Sequence, residues 1–191
     1  KESLSRASSF VDEIIIVDTG STDNTKDIAL EFTDKIYDFK WCSDFSKARN
    51  YSIEKASNDW ILVLDADEFI VDFSRSSVEK FIENPSNRNK VGRIKRINFM
   101  EDSYVNSKYI ERINRLFNRN YFNYEGIIHE QVVALDGKPY ETEMVDITAD
   151  HVGYTLEALN KTGKIKRNMD LLKMALKDNF EDPYLYFQLG K

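Results

Sequence analysis

Cysteine, histidine, positive charge and long apolar runs are all scarce in this chain, and each scarcity excludes something. A single cysteine, Cys42, among 191 residues rules out an internal disulfide framework and fits a reducing compartment. Beside Trp41 it reads as a small buried hydrophobe. Twenty-seven basic residues against 33 acidic ones leave a net charge of -6, which argues against a nucleic-acid polymer as partner but not against a nucleotide held through a cation. No apolar run approaches the roughly 18 residues of a membrane span, and no secretory signal opens the sequence. The expected location is the cytoplasm, with peripheral attachment at a membrane as the remaining option. The chain opens on Lys1 without a Met, so it reads as a piece cut at both ends. What is present is a 41% hydrophobic, 13% aromatic composition, enough for one good core.

Periodicity divides the chain into three textures. Residues 11–18 form a β-branched apolar run that predicts a buried strand. Gly20 to Asn24 break it, a helix follows over 25–32, and residues 35–39 suggest a second strand. Asp44 is placed to cap a helix from Phe45 to about Ala56, and a strand follows at 60–65. Ser76 with Glu79 forms a capping box for a helix ending near Asn84 and Pro85. This alternation predicts an α/β fold with a parallel sheet covered by helices. Segments 91–100, 109–118 and 127–135 then read as strands of an antiparallel extension, with a last strand at 144–149. From Leu156 onward the pattern turns helical, with Met169, Leu172, Leu176 and Phe180 on one face until Pro183. Tyr186, Leu189 and Gly190 have the opening spacing of a tetratricopeptide helix. The basic stretch from Arg88 to Arg119 reads as the solvated face of the later strands, with Arg115 alone a weak site candidate.

The most informative segment is Trp60-Ile-Leu-Val-Leu-Asp65-Ala-Asp67-Glu68. Three carboxylates within four residues at the end of an apolar strand are costly unless a cation or a set of donors meets them. An oxygen-only pair at Asp65 and Asp67 suits a hard divalent ion, Mg²⁺ or Mn²⁺, completed by water and phosphate. Asp18-Thr19-Gly20-Ser21 lies at the carboxyl end of an earlier strand, the edge where open α/β sheets take ligands. Its carboxylate and hydroxyls suit a base or ribose. Arg49, in the helix leading into the acidic strand, can pair with a diphosphate or with one of these carboxylates. Both histidines sit in short polar motifs, Ile128-His129-Glu130-Gln131 and Asp150-His151-Val152-Gly153. Glu130 offers a general base, and His151 a third metal ligand.

In that order and spacing, DTGSTDNT, DFSKARN and WILVLDADEF resemble the family 2 glycosyltransferases of the GT-A fold. The RLFN, YEGIIHEQ and HVGY segments resemble the branch that carries tetratricopeptide repeats after the catalytic domain. The resemblance implies a mostly parallel sheet with helices on both faces and an antiparallel extension. It implies a catalytic domain over 1–154 and a helical segment, the start of a repeat array, over 155–191. It further implies a metal-dependent, inverting transfer of a sugar from a nucleotide-diphosphate donor, UDP-sugar foremost, to a saccharide, lipid or protein acceptor. Asp18 and Thr19 would contact the nucleotide, Arg49 the donor phosphates or sugar, and Asp65 the ribose or metal. Asp65, Asp67 and His151 would hold Mn²⁺ or Mg²⁺, and Glu130 would activate the acceptor. Thr19 stands where many members have a second Asp, and His129 replaces an acid beside Glu130.

The family's first strand would precede Lys1, so the expectation for residues 1–191 is an incomplete base pocket, weak sugar-nucleotide binding and self-association through an open strand edge. Two rivals follow from the same residues. A hydrophobic strand with Asp-x-Asp also opens haloacid-dehalogenase-like phosphatases, but Phe69 and Val145 stand where that family has small residues. The other rival is a non-catalytic scaffold whose helical tail binds a peptide.

Overall fold

In the computed structural model, which describes residues 1–101, 106–154 and 164–190, short strands and helices alternate in the first half of the chain. Helix α1 (Glu2–Ala7) precedes β1 (Ile16–Asp18), α2 (Thr25–Leu30), β2 (Ile36–Asp38), α3 (Phe45–Lys55) and β3 (Trp60–Leu62). Next come β4 (Glu68–Phe73), α4 (Arg75–Glu83), a 3-10 turn at Pro85–Asn87, and the long strands β5 (Lys90–Glu101) and β6 (Asn106–Asn118). The hairpin of β7 (Phe122–Glu125) and β8 (Gln131–Ala134) leads to β9 (Glu141–Tyr154), α5 (Lys164–Asp178) and α6 (Pro183–Leu189).

The strands form a mixed sheet system. β1 and β2 pair in parallel, with Asp18 opposite Asp38. A five-stranded sheet runs in the order β3-β6-β5-β9-β4, and within it only β5 and β9 are parallel. The antiparallel share is therefore larger than the alternation in the first half implies. The reason is length: β5 and β6 face each other from Gly92–Leu116 to Glu101–Asn106, and β3 joins the free side of β6 through Trp60–Asn118. Strand β4, which follows the acidic turn directly, was not foreseen; it pairs with β9 and lies under α1, where the Ser3 hydroxyl donates to the Glu68 carbonyl at 2.7 Å.

Successive residues of a strand face opposite sides of the sheet, so β6 serves two cores. Phe117 packs with Ile53, Val63, Val91, Phe122, Tyr124 and Val132 under α3 and the hairpin. Leu116 packs with Ile94, Val145, Ile147, Ala149 and Phe81 under α4. Burying each such side chain contributes roughly 1.5–3 kcal/mol. A third cluster joins Leu171, Leu172 and Leu185 of the tail helices to Ile128, with Trp41 and Phe45 at its margin.

Local signals explain most boundaries. Asp44 caps α3 as its position suggests, accepting from the Lys47 N–H at 3.0 Å. For α4 the cap is Ser74, which accepts from the Ser77 N–H at 3.3 Å, and Ser76 lies inside the first turn. β4 runs to Phe73 and the Ser74 N–H is fixed to the Asp146 carbonyl at 2.8 Å, so the helix must begin at once. Residues 127–135 are not one strand. Gly126 at φ +103° and His129 at φ +53° turn the chain, and the ladder resumes at Gln131. Pro183 starts α6, behind an Asp182 cap that accepts from the Tyr184 N–H at 2.8 Å. The helical pattern expected from Leu156 falls partly on residues 155–163, outside the described residues. Cys42 is exposed rather than buried, while its neighbour Trp41 packs at the margin of the tail cluster. Among the described residues, no helix is long and apolar enough to cross a membrane.

Candidate active site

The apolar strand β3 ends at Leu62, and the carboxylates lie in the turn that follows it. The Glu68 N–H donates to the Asp65 carbonyl at 3.0 Å, and the Glu68 carboxylate accepts the Asp65 N–H at 3.0 Å. This self-capped turn enters β4, whose register sets Glu68 opposite His151 of β9. The Val152 N–H donates to the Asp67 carbonyl at 3.2 Å and stitches the turn to β9. Asp67 Oδ2 consequently lies 3.4 Å from Nε2 of the buried His151.

Asp65 faces elsewhere. Its Oδ1 accepts from Arg49 Nη2 and its Oδ2 from Arg115 Nη2, each at 2.7 Å. Burial alone would raise the Asp65 carboxyl, but the charges and hydrogen bonds of Arg115 and Arg49 outweigh it and hold the group far below the usual carboxylate range. Strand alternation would put Asp65 and Asp67 on one side, and a turn does not obey it. The expected ligand set of Asp65, Asp67 and His151 is thus divided: Asp67 and His151 meet, while both oxygens of Asp65 are held by arginines. Among the described residues, no group of three or more histidine, cysteine or acidic side chains is arranged to hold a metal ion.

Arg49 connects this turn to the hairpin loop. Its Nε donates to Glu130 Oε1, and its guanidinium lies 5.2 Å from the centre of the Tyr124 ring. Desolvation works against its charge, but the attraction of Asp65, Tyr124 and Glu130 prevails and raises its pKa. Glu130 is placed by the loop at residues 126–130, where Gly126 takes a φ of +103° and a Cβ there would meet the Glu130 backbone at an ordinary contact distance of 3.4 Å. The Phe45 N–H donates to the Ile127 carbonyl at 3.0 Å, fixing the same loop to the start of α3.

A fully buried carboxylate, Glu68, underlies the site. Its Oε1 accepts from Arg115 Nη2 and Arg96 Nη1, both at 2.8 Å. Arg96 also pairs with Glu111, directly opposite it on β6, and Asn98 Nδ2 donates to the same Glu111 oxygen at 2.9 Å. Asn98 Oδ1 meets His151 Nδ1 at 2.8 Å. An unbroken polar chain therefore runs from Glu130 through Arg49, Asp65, Arg115, Glu68, Arg96, Glu111, Asn98 and His151 to Asp67. Arg96 and Asn98 were not foreseen, Glu68 was read only as one of three carboxylates in need of a cation or donors, and Arg115 is more central than a weak candidate. Their signal in the sequence is a polar residue on a strand that reads as solvent-facing until the register of β5, β6 and β9 turns it inward.

Asp18 lies apart from this chain, at the end of β1. It is buried, and its carboxylate accepts the Gly20 N–H at 3.1 Å and the Ser21 N–H at 3.1 Å. Burial pushes it up, but the Ser21 hydroxyl, these N–H groups and Lys26 hold it below its ordinary range. Thr19 is exposed beside it.

Residues 2–135 match the description "Glycosyl transferase family 2", and the chain belongs to that family. Its mixed α/β architecture is consistent with the GT-A fold. It is similar to the SPbeta prophage-derived glycosyltransferase SunS of Bacillus subtilis, 30% identical over 203 aligned positions that cover 100% of this chain and 45% of SunS. It is also similar to a TPR repeat-containing protein of Synechococcus elongatus, 35% identical over 188 residues, 94% of this chain and 45% of that protein. A shorter match, 39% identical over 79 residues, 38% of this chain and 19% of the relative, is to the poly-beta-1,6-N-acetyl-D-glucosamine synthase of Staphylococcus epidermidis. The chain spans about half the length of the first two relatives.

Proposed function

We propose that the protein is a glycosyltransferase that moves a sugar from a nucleotide-diphosphate donor to an acceptor hydroxyl or thiol with inversion, and that the transfer depends on a divalent cation. The observation that carries the reading is the pair Asp67 and His151, a carboxylate and a ring nitrogen 3.4 Å apart beside an arginine-held Asp65. Asp67 and His151 are the residues that would hold Mn²⁺ or Mg²⁺ there, with Asp65 at the ribose or at a water of the same ion. The carboxylate oxygen is the donor such ions favour, and the imidazole nitrogen is one that Mn²⁺ takes more readily than Mg²⁺. When bound, the ion neutralises charge on the departing diphosphate.

The chain's own residues do the rest. Asp18 and Thr19, at the end of β1, contact the nucleotide. Arg49 lies between the donor side and the acceptor side, and its bonds to Asp65 and Glu130 fix their separation. The acceptor oxygen or sulfur forms the new bond to the anomeric carbon from the face opposite the diphosphate. The old bond breaks with its electron pair leaving on the diphosphate, and the acceptor proton passes to the Glu130 carboxylate. Residues 1–154 constitute the transferase domain in this reading, and α5 and α6 begin a tetratricopeptide-like segment that engages a protein partner. UDP-sugars are the first donors to test.

The test is a donor-hydrolysis screen of the protein across UDP-, GDP- and dTDP-sugars, with Mn²⁺ and with chelator. Turnover of one nucleotide class that chelation abolishes is the expected result. Equal turnover with and without chelator contradicts the dependence on a cation.

A further inference from the structure

Asn98 is wholly buried in the middle of β5, and both ends of its amide are engaged. Nδ2 faces Glu111 Oε1 at 2.9 Å, and Oδ1 faces His151 Nδ1 at 2.8 Å. The two ends of an amide look alike in shape, so the partners decide which is which. Glu111 decides it here. Its carboxylate also takes Arg96, and burial, which would raise it, is outweighed by that guanidinium and by Asn98, so it stays ionised and can only accept. The amide nitrogen must therefore face Glu111, and the amide oxygen must face the histidine. An oxygen there demands a proton on Nδ1.

We propose that Asn98 is a positioning residue that keeps a proton on His151 Nδ1 and so turns Nε2 to the face shared with Asp67. The register supports this, because Asn98 is directly opposite His151 in the β5–β9 ladder and Glu111 is anchored by Arg96 across the β5–β6 ladder. Glu68 holds the other side of Arg96 at 2.8 Å, so the orientation is set by a fully buried charge rather than by one surface contact. Such partners of a ligating imidazole fix its tautomer and orientation. The consequence for metal binding rests on the reading of Asp67 and His151 given above, whereas the tautomer itself does not.

The chain has only two histidines, His129 and His151, so nitrogen-detected NMR of the ring resonances is direct, with a His129→Gln variant for assignment. The wild-type protein without metal is expected to show a protonated Nδ1 at His151, bonded to the Asn98 oxygen. An unprotonated Nδ1 overturns the inference. In Asn98→Leu the tautomers should mix, and the Mn²⁺ concentration for half-saturation, read by calorimetry, should rise about 10- to 100-fold. If Asn98→Leu fails to fold, Asn98→Ala serves with the same readout, and an unchanged tautomer in that variant also overturns the inference. Added Mn²⁺ should broaden the His151 resonances. A correct tautomer without broadening leaves the role of Asn98 standing and overturns the metal assignment instead.

Discussion

Glu13 joins three segments with one carboxylate that is 9% exposed. It pairs with Lys35 ahead of β2, accepts the Ser57 N–H at 2.8 Å and takes Asn58 Nδ2 at 3.3 Å, so it ties the approach to β1 to the α3–β3 connection. Burial opposes its charge, but Lys35 and the Ser57 hydroxyl and N–H lower its pKa from 4.5 to about 2. A carboxyl depressed in the folded state adds stability above its unfolded pKa and loses it as pH falls through the folded value. The contribution is on the order of 1–2 kcal/mol once screening of the half-exposed Lys35 is allowed for. Urea-unfolding midpoints should show the protein losing this stability between pH 4.5 and about 2, and Glu13→Gln should lack that part of the slope. At the reacting end, Glu130→Gln should lower transfer by roughly 10²- to 10⁴-fold while nucleotide affinity holds, because only the proton acceptor is removed. Unchanged turnover in that variant assigns the proton to another group. Glu13 shows what a linear reading misses: its partners lie 22 and 44 positions away, and nothing in its neighbours marks it. Arg49, by contrast, was legible, since it stands in the first turns of a helix aimed at the acidic turn.

Elements bring these residues together, and the tail helices take part. Ile128, two residues before Glu130, packs with Leu171 and Leu172 of α5 and Leu185 of α6. The Gln131 side chain bridges the His129 carbonyl at 2.8 Å and the Tyr184 hydroxyl at 2.9 Å. Leu185→Ala should cost about 2–5 kcal/mol of stability, as core truncations do, and should change the fluorescence of Trp41 at the same cluster. Thermal unfolding with unaltered Trp41 emission would separate the tail from the loop. The cap at Asp44 was readable because local chemistry alone decides it, whereas of the β-branched run read as a buried strand over 11–18 only Ile16–Asp18 forms a strand and only Asp18 is buried. The hairpin loop was not, since its apolar Ile127, Ile128, Val132 and Val133 mimic a strand and only the positive φ of Gly126 and His129 separates them. The acidic turn was misread as a strand end for the same reason: β3 stops at Leu62, three residues before Asp65.

Across the whole molecule, a chain of alternating charges runs beneath the site from Glu130 to Glu111 and continues through the Asn98 amide and His151 to Asp67, and only the assembled sheet creates it. The fold class was legible in the order of the motifs. The division of the acidic motif was not, because it depends on the pairing of β4 with β9 and on two arginines distant in sequence. Asp65 is held by arginines, and Asp67 stands with His151, so in this account the cation depends on Asp67. The measurement that tests this most directly is a Mn²⁺ titration of donor turnover in the protein and in Asp67→Ala, with circular dichroism to verify the fold. The account predicts saturable, metal-dependent turnover in the former and its loss in a folded Asp67→Ala. Normal metal-dependent turnover in that variant would contradict it.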